Sequence, residues 1–487
     1  MSLTLASNGS GPLYRQVFET LRHAITSGAY KSEQRLPATR ELSAELGVSR
    51  NTVNTAYDML QAEGYLESRP NSGYYVTARI PADSFEILAK RPRRHPSVIP
   101  QLSNRGKALA RPSRPVAKNP NPSFVPGLPD LGVFPYSQWQ QCLQKTNLKL
   151  TPGLMSYQDQ GGLLEFKTAL RDYLELSRAV KCNPEQIIVV NGSQAGLDLM
   201  ARLLVEDDEY IAMEEPGYLG ANDGFLAANA KILSIPVDKE GLEVERLDAL
   251  NKKQQSAVKL IYTTPSYQFP LGVTMSLQRR LALLEWANTN NAFIIEDDYD
   301  SEFRYHDRPL SSLQGLDSQG RVLYMGTLSK VMFPGLRIGY LVVPENLSSA
   351  FASALRKTGQ DAPLLLQAAM TQFIEKGFFS SHIRKMRKLY GRKQALLLEL
   401  AEHHLHEWLS IPATSAGMQF PAFFRKKINE KKLLEATQQR KLNITSLNRY
   451  FAGRNTAPGL YLGYAGVPIE DLKKGVLLLK DAFRSVD

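Results

Sequence analysis

One lysine of this 487-residue chain is surrounded by small and hydroxyl-bearing residues. It is Lys330, in the segment GTLSKVMFPGLR that spans residues 326–337. A lysine held in a dry pocket loses its proton readily and can attack an aldehyde. Thr327, Ser329 and Arg337 in the same segment offer groups that bind a phosphate. An aldehyde together with a phosphate describes pyridoxal 5′-phosphate (PLP), bound to Lys330 as a Schiff base.

The alternative for Lys330, a surface lysine in a turn before a strand, predicts no partner groups elsewhere in the chain. A carboxylate partner is present upstream, where residues 290–299 read NNAFIIEDDY. This pattern predicts a buried strand that ends in acids, at the edge where open α/β sheets place ligand groups. The pyridine nitrogen of the cofactor needs an anion to stay protonated, and Asp297 is our candidate. Tyr299 could bond the phenolic oxygen of the ring, although a solvated acidic loop would also explain the segment.

Two further segments provide surroundings for a phosphate and a ring. Residues 189–200, VVNGSQAGLDLM, predict a strand, a turn and a helix. Helix N-termini expose unpaired N–H groups that bind phosphate, so Ser193 and Gln194 are candidates there. Tyr218 follows another apolar strand and a Glu-Glu-Pro-Gly sequence, and could stack on the pyridine ring. Taken alone, each feature is more often a helix cap or turn packing.

Along the chain these four segments follow one another at residues 189–200, 214–218, 290–299 and 326–337. In this order they resemble the fold-type I aminotransferases, and the resemblance runs from about Phe124 to the C-terminus. The resemblance implies a PLP-binding domain with Lys330 as its catalytic Schiff-base lysine. It also implies that Tyr157 reaches the phosphate of a neighbouring subunit, so that a homodimer completes each site. The implied cofactor-binding residues are Lys330, Asp297, Tyr299, Ser193, Gln194, Tyr218, Thr327, Ser329, Arg337 and Tyr157.

The chain departs from this family in two places. Residues 265–272, PSYQFPLG, stand where the family has an Asn-Pro-Thr-Gly turn, so the contact to the ring oxygen is altered or comes from Gln268. Amino-acid aminotransferases also carry an arginine near the C-terminus that grips the substrate carboxylate. Tyr461 takes its place here, and Arg449 or Arg454 could substitute. The altered clamp favours at most weak transaminase activity.

The N-terminal region has the rhythm of a small helical domain. Residues 13–25 predict an amphipathic helix, and residues 39–46 a short second helix that ends at Gly47. Ser49 is suited to cap a third helix from residue 50 to about 63. Its predicted buried stripe consists of Val53, Ala56, Tyr57 and Leu60. Residues 65–76 then predict a hairpin, which completes a winged helix-turn-helix.

A helix-turn-helix inserts its second helix into the DNA major groove, where Arg and Asn side chains pair with base edges. We expect these residues to contact DNA, through bases, phosphates or the minor groove: Arg40, Ser49, Arg50, Asn51, Thr52, Asn54, Arg69, Ser72 and Gly73. The alternative is a small protein-interaction module. Three motifs, RLPATREL at 35–42, LGVSRNTV at 46–53 and EGYLESR at 63–69, resemble the GntR family of DNA-binding regulators.

A basic, proline-rich segment spans about residues 81–122 and contains no acidic residue between Glu86 and Asp130. Such a segment is a semi-rigid tether that also attracts phosphate. The net charge of +11 fits a nucleic-acid binder better than a metabolic enzyme. The two cysteines exclude a disulfide framework, and we find no metal-ligand cluster, signal peptide or membrane-length apolar run. We therefore expect a bacterial cytoplasmic protein without bound metal.

A GntR-like reader, a linker and an aminotransferase-like domain together resemble the MocR-type transcriptional regulators, which implies head-to-tail dimers. The predicted fold is α/β with a small α+β winged helix-turn-helix domain. We predict a DNA-binding domain at 11–80, a linker at 81–122 and a PLP-binding effector domain at 123–487. The protein would bind a double-stranded DNA operator. Its affinity for the operator would change with an amine or amino acid that reacts with the cofactor, or with PLP itself. The alternative is a catalytically active aminotransferase with a DNA-binding appendage.

Overall fold

The computed structural model describes residues 11–70, 72–78, 101–103, 106–107, 110, 124–157, 160–207, 209–253, 258–305, 311–412, 414, 416–452 and 457–486. The chain divides into two compact units, residues 1–101 and residues 102–487. Most of the predicted linker at 81–122 lies outside the described residues. Among the described residues, no helix is both long and apolar enough to cross a membrane.

The N-terminal unit contains three helices and a two-stranded hairpin. The helices are α1 (Leu13–Thr26), α2 (Thr39–Leu46) and α3 (Arg50–Ala62). The antiparallel strands β1 (Leu66–Arg69) and β2 (Gly73–Val76) form the wing. The predicted helices and hairpin are confirmed. The helix ends differ from the predicted ones by no more than one residue.

The turn between α2 and α3 has the caps that the sequence predicts. Gly47 adopts a left-handed conformation with φ of 65°, which glycine reaches without steric cost. The Ser49 hydroxyl accepts a 3.1 Å hydrogen bond from the Thr52 backbone N–H. The predicted stripe of α3 is buried and packs with Val17, Leu21 and Ile25 of α1 in one core. Burial of this face therefore fixes α3 with its other face toward solvent.

The C-terminal unit is built on an eight-stranded sheet in the order β3-β10-β9-β8-β7-β4-β5-β6. Its strands are β3 (Ile187–Val190), β4 (Tyr210–Glu215), β5 (Lys231–Asp238), β6 (Gly241–Leu242), β7 (Val258–Thr263), β8 (Phe293–Asp298), β9 (Val322–Thr327) and β10 (Gly339–Val342). Strands β5, β4, β7, β8 and β9 run parallel, whereas β10 is antiparallel to both of its neighbours. Most of the strand residues are buried apolar ones, as expected for a sheet that is covered on both faces.

Helices cover this sheet and continue into a smaller C-terminal part. The described helices are α4 (Tyr136–Leu148), α5 (Leu164–Arg178), α6 (Ser193–Leu204), α7 (Leu219–Ala227), α8 (Val244–Lys253), α9 (Leu277–Thr289), α10 (Leu313–Leu316), α11 (Ser348–Thr358), α12 (Leu364–Glu375), α13 (Phe378–Leu405), α14 (Glu430–Gln439) and α15 (Leu472–Arg484). A four-stranded antiparallel sheet in the order β11-β12-β14-β13 lies in that part. Its strands are β11 (Leu409–Ser410), β12 (Gln419–Phe424), β13 (Thr445–Ser446) and β14 (Gly459–Gly463).

The parallel strands bring the candidate residues to one edge of the large sheet. Because β4, β7, β8 and β9 run in the same direction, the loops that follow them lie at the same edge. These loops contain Tyr218, Gln268, Tyr299 and Lys330. The carboxyl edge of a parallel sheet is where α/β folds place their ligands. The sheet therefore gathers residues that are more than 100 positions apart in the sequence.

Candidate functional site

Lys330 extends from the loop after β9 and is partly buried. Its Nζ donates a 2.8 Å hydrogen bond to the carbonyl oxygen of Gly127. Gly127 has a φ of +71°, and a Cβ built on it would lie 2.4 Å from that Nζ. The positive φ favours glycine here, and a larger residue would also displace the lysine amine from its present position. The backbone around residue 127 thus positions the amine inside the C-terminal unit.

Asp297 lies at the end of β8 with a relative exposure of 5%. The Tyr262 hydroxyl, on the neighbouring strand β7, donates a 2.6 Å hydrogen bond to Asp297 Oδ2. Burial raises the pKa of the Asp297 carboxyl to about 7, while the bond from Tyr262 and the charge of Lys330 oppose that rise and Asp298 adds to it. A cationic partner would stabilise the ionised form of this buried carboxyl. A protonated pyridine nitrogen would be such a partner.

Asp298 points to the opposite face of the strand and has a different set of partners. Arg178 Nε donates to Asp298 Oδ2 at 2.6 Å, and the Tyr324 hydroxyl donates to the same oxygen at 2.5 Å. Arg178 and Asp298 are both almost fully buried. This ion pair anchors the end of β8, and no sequence motif indicates it. Asp298 Oδ2 is therefore occupied, whereas its Oδ1 has no hydrogen-bond partner among the described residues, and the charge of Lys330 acts on Asp297.

The N-terminus of α6 and Arg337 lie together beside the end of β9. Gly339 on β10 pairs with Thr327 on β9 and with Val190 on β3, just before the turn into α6. The Arg337 guanidinium donates to the Asn191 carbonyl at 3.4 Å. A Cβ on Gly192, the N-cap of α6, would lie 2.9 Å from Arg337 Nη2. Free helical N–H groups and an adjacent guanidinium form a suitable phosphate site.

The remaining phosphate candidates border the same place. The backbone N–H of Ser329 donates to the Thr327 hydroxyl at 3.2 Å. Ser193 begins α6, so its backbone N–H is one of the unpaired groups at the helix terminus. The side chain of Gln194 turns toward Tyr218, since a Cβ on Gly220 would contact both. Gln194 lies in the first turn of α6, and the contact of its backbone N–H with a phosphate remains a prediction.

Two predicted ring contacts lie around Phe269. The Tyr218 ring is 5.5 Å and the Tyr299 ring 5.9 Å from the Phe269 ring, between centroids. The Tyr299 hydroxyl donates to the Tyr267 carbonyl at 3.0 Å. The stacking of Tyr218 and the contact of Tyr299 with a ring oxygen remain predictions. Tyr157 is 91% exposed, and its contact with a second subunit also remains a prediction.

Gln268 does not have the free donor that the sequence-based alternative requires. Its Nε2 donates to the carbonyls of Pro216 and Phe269 at 2.8 and 2.7 Å, and its Oε1 accepts from the Leu271 N–H at 3.0 Å. Its amide also lies 3.3 Å from Glu214 Oε2. Gln268 therefore holds the loop after β7 in shape, so that the alternative of a Gln268 contact to the ring oxygen is not supported.

The position of the expected carboxylate clamp holds an uncharged aromatic side chain. Tyr461 on β14 is fully buried and packs 5.4 Å from the rings of Phe269 and Tyr450. Arg449 lies in the short 3-10 turn Leu447–Tyr450, and Arg454 lies outside the described residues. The side chain at 461 thus offers a hydroxyl and a ring in place of a cation.

The predicted DNA-binding residues lie on the surface of the N-terminal unit. Arg40, Ser49, Arg50 and Asn51 are exposed at the helix-turn-helix, and Thr52 and Asn54 are partly exposed. The start of α3 is therefore open to a major groove.

The wing presents the other predicted DNA contacts. Arg69 Nε donates to Glu67 Oε1 at 2.8 Å, and its guanidinium lies 4.4 Å from the centroid of the Tyr75 ring. The hydroxyls of Ser72 and Tyr75 are 2.7 Å apart. Gly73 has a φ of +103° at the turn. Arg69 is thus held in place by Glu67 and Tyr75, which the sequence did not indicate.

Comparison with known proteins identifies both units. The GntR family of bacterial regulatory proteins matches residues 13–76, and the aminotransferase class I and II family matches residues 131–475. The probable rhizopine catabolism regulatory protein MocR of Rhizobium meliloti is 41% identical over 100% of this chain and 96% of its own length. The pyridoxine biosynthesis regulator PdxR of Corynebacterium glutamicum is 28% identical over 95% of this chain and 94% of its own.

A solved structure supports the same fold for the larger unit. The Pyrococcus horikoshii kynurenine aminotransferase, solved in complex with PMP, is 27% identical over 76% of this chain and 92% of its own, with a TM-score of 0.69. Fold and site together define a DNA-binding regulator with a PLP-dependent aminotransferase-type domain. More narrowly, the chain belongs to the MocR-type transcriptional regulators of the GntR family.

Proposed function

We propose that the C-terminal unit holds PLP on Lys330 and senses a small molecule, and that this changes the affinity of the N-terminal unit for an operator. The main support is the arrangement at one sheet edge of an amine on Lys330, a buried carboxyl on Asp297 and the α6 terminus beside Arg337. These groups match the aldehyde, the ring nitrogen and the phosphate of PLP. The bound cofactor supplies an electrophilic carbon and an electron sink.

The residues of the chain have distinct tasks in this proposal. Lys330 binds the cofactor covalently, and Asp297 keeps its ring nitrogen protonated. Arg337 and the N–H groups that begin α6 hold its phosphate. Tyr157 is exposed on the surface, so it is free to contact the phosphate in a second copy of the chain, as the proposed head-to-tail homodimer requires.

Two kinds of effector are compatible with this site. An amine or amino acid would react at the carbon that Lys330 occupies, and the rhizopine name of the MocR relative fits control by a small metabolite. PLP itself could be the effector, as the name of the pyridoxine biosynthesis regulator suggests for that relative. DNA affinity that changes with PLP alone would favour the second, and a change that needs an added amine would favour the first.

The absorption spectrum of the purified chain tests the proposal. A conjugated imine absorbs visible light, so protein reconstituted with PLP is expected to be yellow. Lys330→Ala should lose this band and keep its circular dichroism spectrum, while Lys167→Ala, at another buried lysine, should keep the band. A Lys330→Ala variant with an unchanged band would refute the assignment. Fluorescence anisotropy with labelled operator DNA, with and without PLP, tests the regulatory part.

A further inference from the structure

One end of the candidate site is not used by any predicted cofactor contact. Asp300 follows the acidic end of β8 and is 1% exposed. Its Oδ2 accepts a hydrogen bond from Gln419 Nε2 at 3.2 Å. Its Oδ1 has no hydrogen-bond partner among the residues that the structure describes. A buried carboxyl oxygen without a donor is costly, so a ligand that supplies one would be stabilised there.

Hydrogen bonds connect Asp300 to the lysine amine. Lys330 Nζ donates to the Gly127 carbonyl at 2.8 Å, and the Gly127 N–H donates to Gln419 Oε1 at 2.8 Å. The other end of the same amide donates to Asp300. Burial raises the pKa of Asp300 well above its ordinary value, Asp298 and Glu302 add to this, and the charge of Lys330 opposes it. Asp300 and Lys330 thus share one electrostatic environment.

A second polar atom is available near the same place. The Tyr461 hydroxyl is fully buried and has no hydrogen-bond partner among the described residues. Burial raises the pKa of the Tyr461 hydroxyl well above its ordinary value, Tyr267 adds to this, and the nearby Gln419 side chain opposes it. That amide is already bound to Gly127 and Asp300, however, and makes no well-formed bond to Tyr461. The hydroxyl therefore remains available to a ligand.

An aromatic wall joins these atoms to the predicted ring position. We call it the Phe269 cluster, and its members are Phe269, Tyr218, Tyr299, Tyr450 and Tyr461. Each tyrosine ring lies between 4.9 and 5.9 Å from the Phe269 ring, in edge-on contact. Tyr218 and Tyr299 are the predicted neighbours of the cofactor ring, so the wall extends from that ring to Tyr461. Aromatic faces suit the carbon chain of a ligand, and also a cation.

We propose that Asp300 and Tyr461 recognise the distal group of the effector, and that the effector is a primary amine whose distal group donates hydrogen bonds. A second ammonium or a hydroxyl would satisfy the free oxygen of Asp300. A second ammonium would also stabilise the Asp300 anion that burial disfavours, whereas a distal carboxylate has no hydrogen to donate and meets no compensating cation at position 461. This inference rests on the proposed function, because the primary amine must meet the cofactor held by Lys330.

Four amines of equal chain length form a direct test: butylamine, aminobutanol, putrescine and γ-aminobutyrate. Each is titrated into the full chain reconstituted with PLP, and binding is followed by the visible band and by the melting temperature. One charge-assisted hydrogen bond corresponds to about a tenfold change in affinity. We therefore expect putrescine to bind about tenfold more tightly than butylamine, with aminobutanol between them and γ-aminobutyrate weakest.

Two variants locate the preference. Asp300→Asn keeps the acceptor for Gln419 but removes the charge, so putrescine should fall to the level of butylamine. Tyr461→Phe removes only the hydroxyl and should weaken aminobutanol and putrescine while butylamine is unchanged. Asp172→Asn, at an exposed residue paired with Arg171, is the matched control and should behave as the wild type.

The outcomes separate this inference from the proposed function. A wild-type protein without a visible band after addition of PLP would overturn the proposed function and this inference with it. A normal band with γ-aminobutyrate bound as tightly as putrescine would overturn this inference alone. If Asp300→Asn does not fold, the ranking of the four amines in the wild type and in Tyr461→Phe tests the inference. An unchanged ranking in Tyr461→Phe would show that the Tyr461 hydroxyl does not contact the distal group.

Discussion

The Tyr262 hydroxyl donates a 2.6 Å hydrogen bond to Asp297 Oδ2 across the neighbouring strands β7 and β8. Both side chains are buried, and this bond orients the carboxyl at the edge of the sheet. It also stabilises the anion against the burial that raises the pKa of Asp297. Tyr262 is thus a positioning residue for the group that would hold the pyridine nitrogen, although no sequence motif singled it out.

The first prediction concerns cofactor affinity. Asp297→Asn removes the anion, and we expect PLP to bind more weakly by about 1.5–3 kcal/mol, with a shifted absorption maximum. Tyr262→Phe removes only the orienting bond and should cost about 1 kcal/mol. Tyr210→Phe serves as the control, because Tyr210 begins β4 at the edge of the sheet opposite to the candidate site. Titration with PLP measures all three, and unchanged affinity and spectrum in Asp297→Asn would transfer the role to Asp298.

The second prediction concerns the stability of the cofactor-free protein as a function of pH. Burial raises the pKa of Asp297 to about 7 in the folded state, whereas in the unfolded chain it is about 4. The folded state therefore holds the proton more tightly, and the resulting stability is lost as pH rises through the folded pKa.

Asp297→Asn cannot ionise and escapes this loss. Without PLP, the melting temperature of Asp297→Asn relative to wild type should rise between about pH 4 and pH 7 and level off above that range. With PLP bound, the wild type should regain the advantage, because its carboxylate then has a cationic partner. Thermal unfolding at several pH values measures both effects, and a constant difference across the range would contradict the raised pKa.

The third prediction concerns the backbone beneath the lysine. Gly127→Ala and Gly359→Ala both place a Cβ on a left-handed backbone, at a cost of about 1–2 kcal/mol each. At residue 359, the C-cap of α11, the added Cβ meets nothing within 4 Å, whereas at residue 127 it meets Lys330 Nζ at 2.4 Å. Only Gly127→Ala should therefore weaken or remove the visible band. Equal loss of the band in both variants would show that the backbone alone is responsible.

The sequence predicts best those features that depend on neighbours along the chain. The caps at Gly47 and Ser49 and the stripe of α3 follow from local spacing, and the structure confirms them. Lys330 and Asp297 are predicted from motifs that lie at, or just after, the end of an apolar strand. Their approach to each other follows from the parallel order of β8 and β9.

The features that the sequence missed depend on contacts between distant residues. The Arg178–Asp298 pair joins residues 120 positions apart, and the hydrogen bond from Gly127 to Gln419 joins residues 292 positions apart. No periodicity encodes such pairs, because each is set by the packing of separate elements. Gln268 is a candidate for the ring oxygen on its position alone, but its amide is bound to Phe269 and Leu271 in its own loop and to Pro216 in the loop after β4.

The fourth prediction separates base recognition from phosphate attraction. Arg50→Ala should cost about 1–3 kcal/mol of operator binding and relax the preference at one base position. Neutralising Arg93 and Arg94, which lie outside the described residues, should weaken all sequences alike and reduce the salt dependence. Binding to a set of single-base operator variants at two salt concentrations distinguishes these effects. If both changes affected all DNA sequences equally, the assignment of α3 as the recognition helix would be wrong.

The fifth prediction is that this protein senses more than it catalyses. Transamination requires the Cα–H bond of the substrate to align with the cofactor, and the substrate carboxylate is what fixes that alignment. With the buried Tyr461 ring where an arginine is expected, an amino acid can react with the cofactor yet be poorly held for proton transfer. Half-reactions with amino acids should therefore be slow, whereas ligand binding should change operator affinity by about 1–3 kcal/mol.

Stopped-flow spectra with a panel of amino acids, together with anisotropy titrations of operator DNA, measure the two sides of this prediction. Arg449→Ala is the decisive variant. Of the two arginines that could replace the clamp, Arg449 lies within the described residues, directly before Tyr450 of the Phe269 cluster. If Arg449 acted as a carboxylate clamp, its loss would abolish a measurable half-reaction. We expect instead that the slow half-reaction of the wild type continues at the same rate in Arg449→Ala, because we assign no carboxylate contact to Arg449. Rapid turnover with a common amino acid and keto acid, combined with operator affinity that ignores cofactor and amine, would favour an enzyme over a sensor.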